Sequence, residues 1–381
     1  MTTTINNEHK KLNVPNLRFP EFHGEWEKCI LGDITENFNL RNKDKIQYPM
    51  FSVTNDRGFV PQSEQFEGRD MVGEDIKAYK IIHTNDFAYN PARINVGSIA
   101  MYTGEKPCMI SSLYVCFKTT KEVNNEWLMQ LLKTPKMNYY YNVNGEGGVR
   151  VYLFYPNFAR IRMSIPKIEE QKKIAKLLNL IDERIATQNK IIDKLQSLIK
   201  GISSRIFTSI QGIEYRMGDI VTITNGNSNV QDAVTQSKDG LYPFFDRSED
   251  IKYLPTFLFD KEAIIYPGEG TEFMPRYFKG KFALHQRCYA IFDFNEIINA
   301  RFLYFYLKTR NSYFVKNAVG STVPSLRLDT FRKLKVIIPP KKIQHSVSLC
   351  LSSMEQKCNV EKKILHKLLK QKQYLLRQMF I

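Results

Sequence analysis

Residues 165–206 read IPKIEEQKKIAKLLNLIDERIATQNKIIDKLQSLIKGISSRI, and residues 338–379 read IPPKKIQHSVSLCLSSMEQKCNVEKKILHKLLKQKQYLLRQM. Both stretches carry apolar residues at alternating steps of four and three, over more than four heptads. These positions are Ile174, Leu178, Ile181, Ile185, Gln188, Ile192, Leu195, Ile199, Ile202 and Ile206, then Val347, Leu351, Met354, Cys358, Glu361, Leu365, Leu368, Lys372, Leu375 and Met379. This spacing keeps one apolar stripe facing a partner helix. It predicts two long helices packed as a coiled coil.

Three of these positions are polar: Lys372, and a pair at equivalent places, Gln188 in the first stretch and Glu361 in the second. If the helices pack antiparallel, residues near both midpoints meet, and this pair lies face to face. A buried polar pair of this kind sets coiled-coil register at some cost in stability. The alternative is two independent residues that lean toward solvent. At a rise of about 1.5 Å per residue, a helix of about 40 residues would be about 60 Å long, the length of a spacer.

The segments before the two helices are also duplicated. Trp127-Leu128 and Leu131 to Thr134 match Phe302-Leu303 and Tyr306 to Thr309 at an offset of 175, and Gly145 matches Gly320 at the same offset. Nearer the start, Leu31-Gly32-Asp33-Ile34 matches Met217-Gly218-Asp219-Ile220. Such drifting offsets are typical of a repeat whose loops differ in length while its framework persists. The chain is therefore predicted to read globular unit, helix, globular unit, helix.

The predicted fold class is α+β, with two homologous globular domains separated by two long helices in an antiparallel coiled coil and related by a pseudo-twofold repeat. Alternating apolar residues predict strands at 161–165 and 334–338, each leading into a long helix. Helices are predicted at 124–133 and 299–308. The predicted divisions are a flexible N-terminal arm at 1–16, a first domain at 17–165, a central helix at 166–210, a second domain at 211–337 and a C-terminal helix at 338–381.

Composition narrows the class of protein. The formal net charge is +16, and residues 338–381 alone carry nine basic and two acidic residues. Basicity at this level favours a nucleic-acid partner, because phosphate neutralisation drives such binding. No stretch reaches the ~18 apolar residues of a membrane span, so no membrane partner is expected. The six cysteines form no Cys-x-x-Cys pair, which indicates a reducing, cytoplasmic location.

The sequence lacks the usual signatures of catalysis. It has neither the Gly-x-x-x-x-Gly-Lys phosphate loop nor a Gly-x-Gly-x-x-Gly loop after a strand. Its six histidines show no metal-ligand spacing, and no paired carboxylates stand out as a nuclease site. The expectation is a protein without metal or catalytic residues of its own.

Several motifs, taken in order, resemble the DNA-specificity subunit of type I restriction-modification systems over nearly the whole chain. The motifs are Leu17 to Phe22 with Gly24, Trp26 and Glu27; Leu31 to Ile34; Tyr89-Asn90-Pro91-Ala92-Arg93 with Gly97 to Ala100; and Ile165-Pro166 with Glu169-Glu170-Gln171, Ile174 and Leu177-Leu178. Their order, together with the duplication, is what makes the resemblance specific.

The resemblance implies that each globular unit is a target-recognition domain reading one half of a split, asymmetric site on double-stranded DNA. It implies that the two helices set the spacing and dock two modification (methyltransferase) subunits. S-adenosylmethionine, ATP and Mg would then be bound by partner subunits and not by this chain. Whether two restriction or translocase subunits also join is left open.

We expect the base-reading residues to be polar side chains in loops that contain glycine, because Arg–guanine and Asn or Gln–adenine contacts need exposed groups. The first-domain candidates are Asn90, Arg93, Asn95, Ser98, Ser111, Ser112, Tyr114 and Arg150. The second-domain candidates are Arg247, Ser248, Thr271, Arg276, His285, Gln286, Arg287, Ser321, Thr322 and Arg327. Each of them, taken singly, can instead be a solvent-facing loop residue or a phosphate contact. The cluster Tyr139-Tyr140-Tyr141 is predicted to pack in the core.

Two other functions remain open from the sequence. A free-standing DNA-binding regulator would use the coiled coil only as an internal ruler, and the isolated chain would bind its site tightly. A coiled-coil adaptor would bind proteins through its globular units, and its DNA affinity would lack a steep salt dependence.

Overall fold

The computed structural model describes residues 12–65, 76–147 and 151–381. Residues 1–11, most of the predicted N-terminal arm, lie outside the described residues. The chain forms two compact units, one made of residues 1–187 and 365–381 and the other of residues 188–364. Each unit therefore contains one globular domain and a part of each long helix.

The first globular domain consists of short strands and helices. Its strands are β1 (Glu27–Ile30), β2 (Thr35–Phe38), β3 (Phe51–Thr54), β4 (Gly58–Pro61), β5 (Lys80–Ile82), β6 (Phe87–Tyr89), β7 (Ile99–Met101), β8 (Cys108–Ile110), β9 (Val115–Thr119) and β10 (Arg162–Ile165). Its helices are α1 (Leu31–Ile34), α2 (Gln62–Gln65), α3 (Asn125–Leu132), α4 (Pro135–Asn144) and α5 (Tyr155–Ala159). The main sheet is antiparallel with the order β2-β9-β6-β7, and β1 pairs with β10.

The second globular domain follows the long helix α6 (Ile168–Ser209). Its strands are β11 (Ile213–Arg216), β12 (Thr222–Asn225), β13 (Tyr242–Phe245), β14 (Lys252–Leu254), β15 (Phe259–Pro267), β16 (Arg276–Leu284), β17 (Cys288–Phe292) and β18 (Lys335–Ile338). Its helices are α7 (Ala300–Lys308), α8 (Asn311–Asn317) and α9 (Leu328–Arg332), and the long helix α10 (Lys341–Gln378) follows.

The duplication extends to the topology of the sheets. The second domain has the strand order β12-β17-β15-β16, the same as the order β2-β9-β6-β7 of the first, and adds β13 and β14 beyond β16. In both domains an antiparallel strand pair, β1 with β10 or β11 with β18, joins the domain entry to the strand that leads into a long helix. The fold class is therefore α+β with an internal repeat, as predicted.

The predicted local elements are present. Strands β10 and β18 lie within the predicted segments, and α3 and α7 fill the predicted helices. Asn124 and Asn299 cap α3 and α7, since their side chains accept hydrogen bonds from the backbone N–H groups of Trp127 and Phe302. These side chains satisfy donors that the first helical turn leaves unpaired.

Within each unit the two long helices run antiparallel. In the first unit the Lys372 ammonium of α10 lies 2.5 Å from the Asp182 carboxylate of α6. In the second unit the Gln188 amide donates to the Glu361 carboxylate at 2.6 Å, and both residues are 7% exposed. All twenty positions of the predicted stripe are buried or partly buried. The coiled-coil prediction therefore holds in both units, and the two midpoint residues face each other.

Aromatic side chains fill much of each core. Trp127, on α3, is fully buried against Trp26 and Phe380, whereas its counterpart Phe302 packs against Phe207. The prediction for the tyrosine cluster is correct for Tyr141, whose hydroxyl donates to the Leu132 carbonyl, and wrong for Tyr139, which is 63% exposed.

No helix among the described residues is long and apolar enough to cross a membrane.

Candidate nucleic-acid interface

An open cleft of about 530 Å³ lies at one end of the second domain. Its lining includes five of the candidate residues, which come from two separate loops of the sequence. They are Arg247, Ser248, His285, Gln286 and Arg287. The loop after β13 supplies the first two, and the turn between β16 and β17 supplies the other three. The parallel pairing of β13 with β16 brings the two loops to the same sheet end.

A buried carboxylate holds the loop after β13 in place. Asp246 is 4% exposed and accepts hydrogen bonds from the backbone and hydroxyl of Ser248 and from the Lys252 ammonium, at 2.6 Å for the lysine. Burial raises the pKa of Asp246, but the hydrogen bonds from Lys252 and Ser248 outweigh burial and lower the pKa overall. Asp246 is therefore ionised at neutral pH, and Arg247 is exposed next to it.

Arg276 does not fit the predicted role of a base reader. Its guanidinium donates to the carbonyls of Asp246 at 2.7 Å and Ser248 at 2.5 Å and lies over the Phe245 ring. Burial lowers the pKa of Arg276. Because its donors already bind backbone carbonyls, the side chain braces the loop that carries Arg247.

The turn between β16 and β17 is polar and largely exposed. Arg287 makes a 2.7 Å ion pair with Glu269 and is 63% exposed, so its guanidinium keeps donors that face solvent. Burial lowers the pKa of His285, so its imidazole is neutral at pH 7. Gln286 is exposed, and its backbone N–H donates to the Ser228 carbonyl.

Two further loops lie beside this turn. The backbone of Gly268 to Gly270 pairs with that of Pro324 to Leu326, so the loop containing Ser321 and Thr322 lies against the Glu269 segment. The remaining candidates in this region are exposed; they are Thr271, Ser321, Thr322 and Arg327. Most second-domain candidates therefore contribute to one connected, charged surface.

The first domain has a different cleft, of about 540 Å³, whose lining is largely apolar but includes Lys133 and three amide side chains from separate elements. Asn55 follows β3, Asn95 follows β6, and Asn138 lies on α4. The Asn95 amide donates to the Asn142 side chain at 3.0 Å. Arg93 lies close by in the chain and is exposed.

Three first-domain candidates have internal roles instead of an exposed one. Ser98 is 1% exposed and its hydroxyl donates to the Val53 carbonyl, while the Tyr114 hydroxyl accepts from the Val53 N–H. The Asn90 side chain accepts from the Ala92 N–H, as expected of an Asx turn. The bonds of Ser98 and Tyr114 hold β3 against the neighbouring loops, and of the three residues only Ser98 is fully buried.

The other first-domain candidates are less constrained. Ser112 is exposed and Ser111 partly exposed. Arg150 lies outside the described residues.

Sequence reasoning missed several residues that line the clefts. Asp246, Lys252 and Glu269 are not among the predicted residues, because the sequence alone does not distinguish a charged side chain with partners inside the protein from one that faces solvent. Asn225 to Ser228 line the same sheet end, and their Asn-Gly-Asn-Ser sequence is a turn signal that could have identified them. Asn55 and Asn138 carry no such signal.

The titratable groups near the clefts indicate the chemistry that these surfaces can support. Among the residues that the structure describes, no group of His, Cys, Asp or Glu could hold a metal ion. Cys288 lines the second-domain cleft, and burial raises the pKa of its thiol to about 11, so this cysteine is protonated at neutral pH and a poor nucleophile. Both clefts instead present hydrogen-bonding side chains on loops held by a sheet, which suits recognition.

A family model for the type I restriction modification DNA specificity domain matches residues 24–197 and 213–370. The chain belongs to this family. Each match contains one globular domain and most of the long helix that follows it, so this specificity-domain family accounts for both halves of the duplication.

Individual members of the family are distant in sequence. The specificity subunit of the type I restriction enzyme EcoDI from Escherichia coli is 30% identical over 123 residues, which cover 32% of this chain and 26% of that protein. The specificity subunit of the type I restriction enzyme MjaVIII from Methanocaldococcus jannaschii is 26% identical over 200 residues, which cover 50% and 45%. The chain thus spans about half or less of the length of the curated relatives it matches.

The fold is shared more widely. The crystal structure of the type I restriction-modification S subunit from M. genitalium aligns with a TM-score of 0.65 at 15% identity, covering 97% of this chain and 99% of that one. At this identity the similarity establishes the architecture of two domains and two long helices, and it says nothing about which residues bind DNA.

Proposed function

We propose that this chain is the DNA-reading subunit of a type I restriction-modification complex. Each globular domain reads one half of a split site on double-stranded DNA, and the chain itself carries out no chemistry. The observation that carries this proposal is the cleft of the second domain. It gathers Arg247, Gln286 and Arg287, which the sequence places about 40 residues apart, at one exposed sheet end. Arginine and glutamine are the side chains that form bidentate contacts with guanine and adenine.

The two half-sites should differ in sequence. The first-domain cleft has one charged side chain, Lys133, and the amides of Asn55, Asn95 and Asn138 among apolar residues, whereas the second-domain cleft is lined by several charged groups such as Arg247 and Arg287. Asparagine favours adenine and arginine favours guanine in the major groove. Two surfaces of such different chemistry support an asymmetric site.

The long helices supply the spacing and the docking surface in this proposal. α6 has 42 residues and α10 has 38, which at about 1.5 Å per residue gives about 60 Å each. That exceeds the ~34–36 Å of one duplex turn, so the two half-sites can be separated by a gap. Because the two helical repeats are equivalent, each provides a similar docking surface for one of two modification subunits.

Chemistry belongs to the partners in this account. The modification subunits would bind S-adenosylmethionine and methylate adenine, and any restriction or translocase subunits that join would use ATP and Mg. The net charge of +16 supports the DNA partner, because it favours approach to the phosphate backbone.

The test is genome-wide mapping of methylated adenine in cells that carry the neighbouring methyltransferase gene, with and without this gene. We expect one asymmetric, split motif that is methylated only when this gene is present. Methylation of the same sites without the gene would overturn the proposal. If methylation ignores the chain while the isolated chain binds one DNA site tightly, the function is that of a free-standing regulator.

A further inference from the structure

Two buried glutamines occupy the same place in the two repeats. Gln171 is the fourth residue of α6 and is 1% exposed, and Gln344 is the fourth residue of α10 and is fully buried. A buried amide must have partners for its donors and its acceptor, or it destabilises the fold. In each repeat those partners join the globular domain to the start of the long helix that follows it.

In the first repeat, Gln171 binds two segments at once. Its Oε1 accepts the backbone N–H of Asn124 at 2.8 Å, and its Nε2 donates to the carbonyls of Glu122 at 3.2 Å and Pro166 at 2.9 Å. Asn124 is the residue that caps α3. The glutamine therefore ties the start of α3 to the strand-to-helix connection at Pro166.

In the second repeat, Gln344 makes the same three bonds. Its Oε1 accepts the backbone N–H of Asn299 at 2.7 Å, and its Nε2 donates to the carbonyls of Ile297 and Pro339, both at 2.8 Å. Asn299 caps α7 in the same way. Every partner in one repeat thus has its equivalent in the other.

The surroundings of the two glutamines have diverged while these bonds have not. Glu122 corresponds to Ile297, and Glu170 precedes one glutamine whereas Ile343 precedes the other. All the partner atoms are backbone atoms, so their side chains are free to vary. Only an amide on a two-carbon stem offers both the acceptor and the two donors at this reach. A carboxylate would face two carbonyls, and asparagine would fall short.

A second contact fixes the same domain helix to the long helix. Asp182 of α6 accepts from the Gln130 amide of α3 at 2.9 Å. At the equivalent position of α10, Glu355 accepts from Tyr304 and Lys308 of α7, both at 2.8 Å. Together with the apolar packing of the domain helix against the long helix, the two polar attachment points hold the domain helix at one angle.

We propose that Gln171 and Gln344 are positioning residues that set the angle at which each recognition domain is held on its long helix, and thereby fix the gap length of the DNA site. This inference rests on the function proposed above. Neither glutamine contacts DNA in this account; each acts through the backbone of the domain helix that it holds.

The test uses the chain assembled with its modification subunits and a DNA library that carries the two half-sites at varied separations. The wild-type complex should prefer one gap by about tenfold or more, because each added base pair moves a half-site by about 3.4 Å and rotates it by about 34°. In Gln171→Met and Gln344→Met that preference should fall to about threefold or less. Gln344→Glu, which keeps an acceptor for the Asn299 N–H and loses the two donors, is the second variant if Gln344→Met does not assemble.

The matched control is Phe314→Leu, which weakens the core of the second domain at a fully buried residue whose ring contacts are Tyr266, Tyr313 and Phe331 and include none of the junction or cleft residues. It should lower the melting temperature without broadening the gap preference. If Gln344→Met at comparable stability keeps the wild-type gap preference, the positioning role is wrong while the recognition role stands. If the wild-type complex selects no split site at all, the proposed function itself fails.

Discussion

At the level of single residues, the second-domain cleft separates side chains that face solvent from side chains that hold the loops. Arg247 and Arg287 are exposed, whereas the Arg276 guanidinium donates hydrogen bonds to the carbonyls of Asp246 and Ser248. All three are arginines in loops or at a strand start, so residue type and position alone do not distinguish their roles. The distinction arises from partners that are about 30 residues away in the chain.

Replacing Arg247 with alanine should weaken binding of the assembled complex to its site by about tenfold if the guanidinium contacts a base, with specificity relaxed at one position. The measurement is a titration against the wild-type site and its single-base variants. Arg216→Ala is the matched control, since Arg216 is an exposed arginine of the same domain on β11. An equal loss of affinity for every DNA sequence would show that Arg247 contacts a phosphate. Wild-type affinity in the variant would show that Arg247 lies outside the interface.

His285 should make DNA binding depend on pH. Its pKa is lowered in the free protein by burial, so it is neutral at pH 7.5. Nearby phosphates favour the protonated form and raise the pKa in the complex. Affinity should therefore increase as the pH falls from 7.5 to 6, and His285→Gln should remove that increase. The measurement is a binding titration across this pH range; the same slope in wild type and variant would place His285 outside the interface.

The lowered pKa of His285 also makes the stability of the fold depend on pH: a fall in pH decreases stability while it increases DNA affinity. Because the folded-state pKa of His285 lies below the ordinary 6.5, its contribution to stability is complete above that value and is lost as the pH falls through the folded-state pKa. Binding and stability measured together at pH 6 therefore distinguish a DNA effect from a loss of fold.

At the level of elements, the long helices are the part of the fold that the sequence predicted best. Their 4-3 spacing is local and repeated, and side chains at those positions are buried wherever a partner helix covers them. The helix bounds fall within three residues of the predicted ones at either end. The strand order of the sheets was not predictable, because it depends on pairings between distant segments, such as β13 with β16.

The Gln188–Glu361 pair should lower stability and specify register. Gln188→Leu alone leaves the Glu361 carboxylate in the stripe without its amide donor, so the melting temperature should fall. Replacing both residues with leucine should restore or exceed the wild-type value. A double variant less stable than either single variant would contradict this view, with thermal unfolding by circular dichroism as the measurement.

The variant with leucine in place of both Gln188 and Glu361 should also lose less stability than the wild type at acidic pH. Hydrogen bonds from Lys357 and then Gln188 hold the pKa of Glu361 below its ordinary 4.5. A carboxyl group with a lowered folded-state pKa stabilises the fold above the unfolded pKa and loses that contribution as the pH falls through the folded one. The two proteins should therefore diverge below about pH 4.5.

A heptad inserted into both long helices should lengthen the gap of the DNA site. Insertion after Lys190 and after Asn359 keeps the apolar stripe in register and adds about 10 Å to each helix. At about 3.4 Å per base pair, the preferred gap should increase by about three base pairs while both half-sites stay unchanged. The DNA library with varied separations measures this directly. An unchanged gap would mean that the helices do not set the spacing.

At the level of the whole molecule, the duplication explains both what the sequence revealed and what it concealed. Matched landmarks such as Gln171 and Gln344 lie at the junctions of domain and helix, where both repeats need the same bonds. The residues that line the clefts, by contrast, differ between the two domains, so the internal repeat does not predict them. Ser98 and Tyr114 are predicted to be exposed loop residues but form hydrogen bonds to the Val53 backbone instead, because residue type and loop position do not determine burial.

The measurement that tests the central claim most directly is adenine-methylation mapping with the double variant Arg247→Ala/Arg287→Ala beside the wild type. If each domain reads one half of the site, the variant should relax or lose specificity in one half only, with the other half and the gap unchanged. A change in both halves, or an unaltered motif at wild-type occupancy, would contradict the assignment of one half-site to each domain.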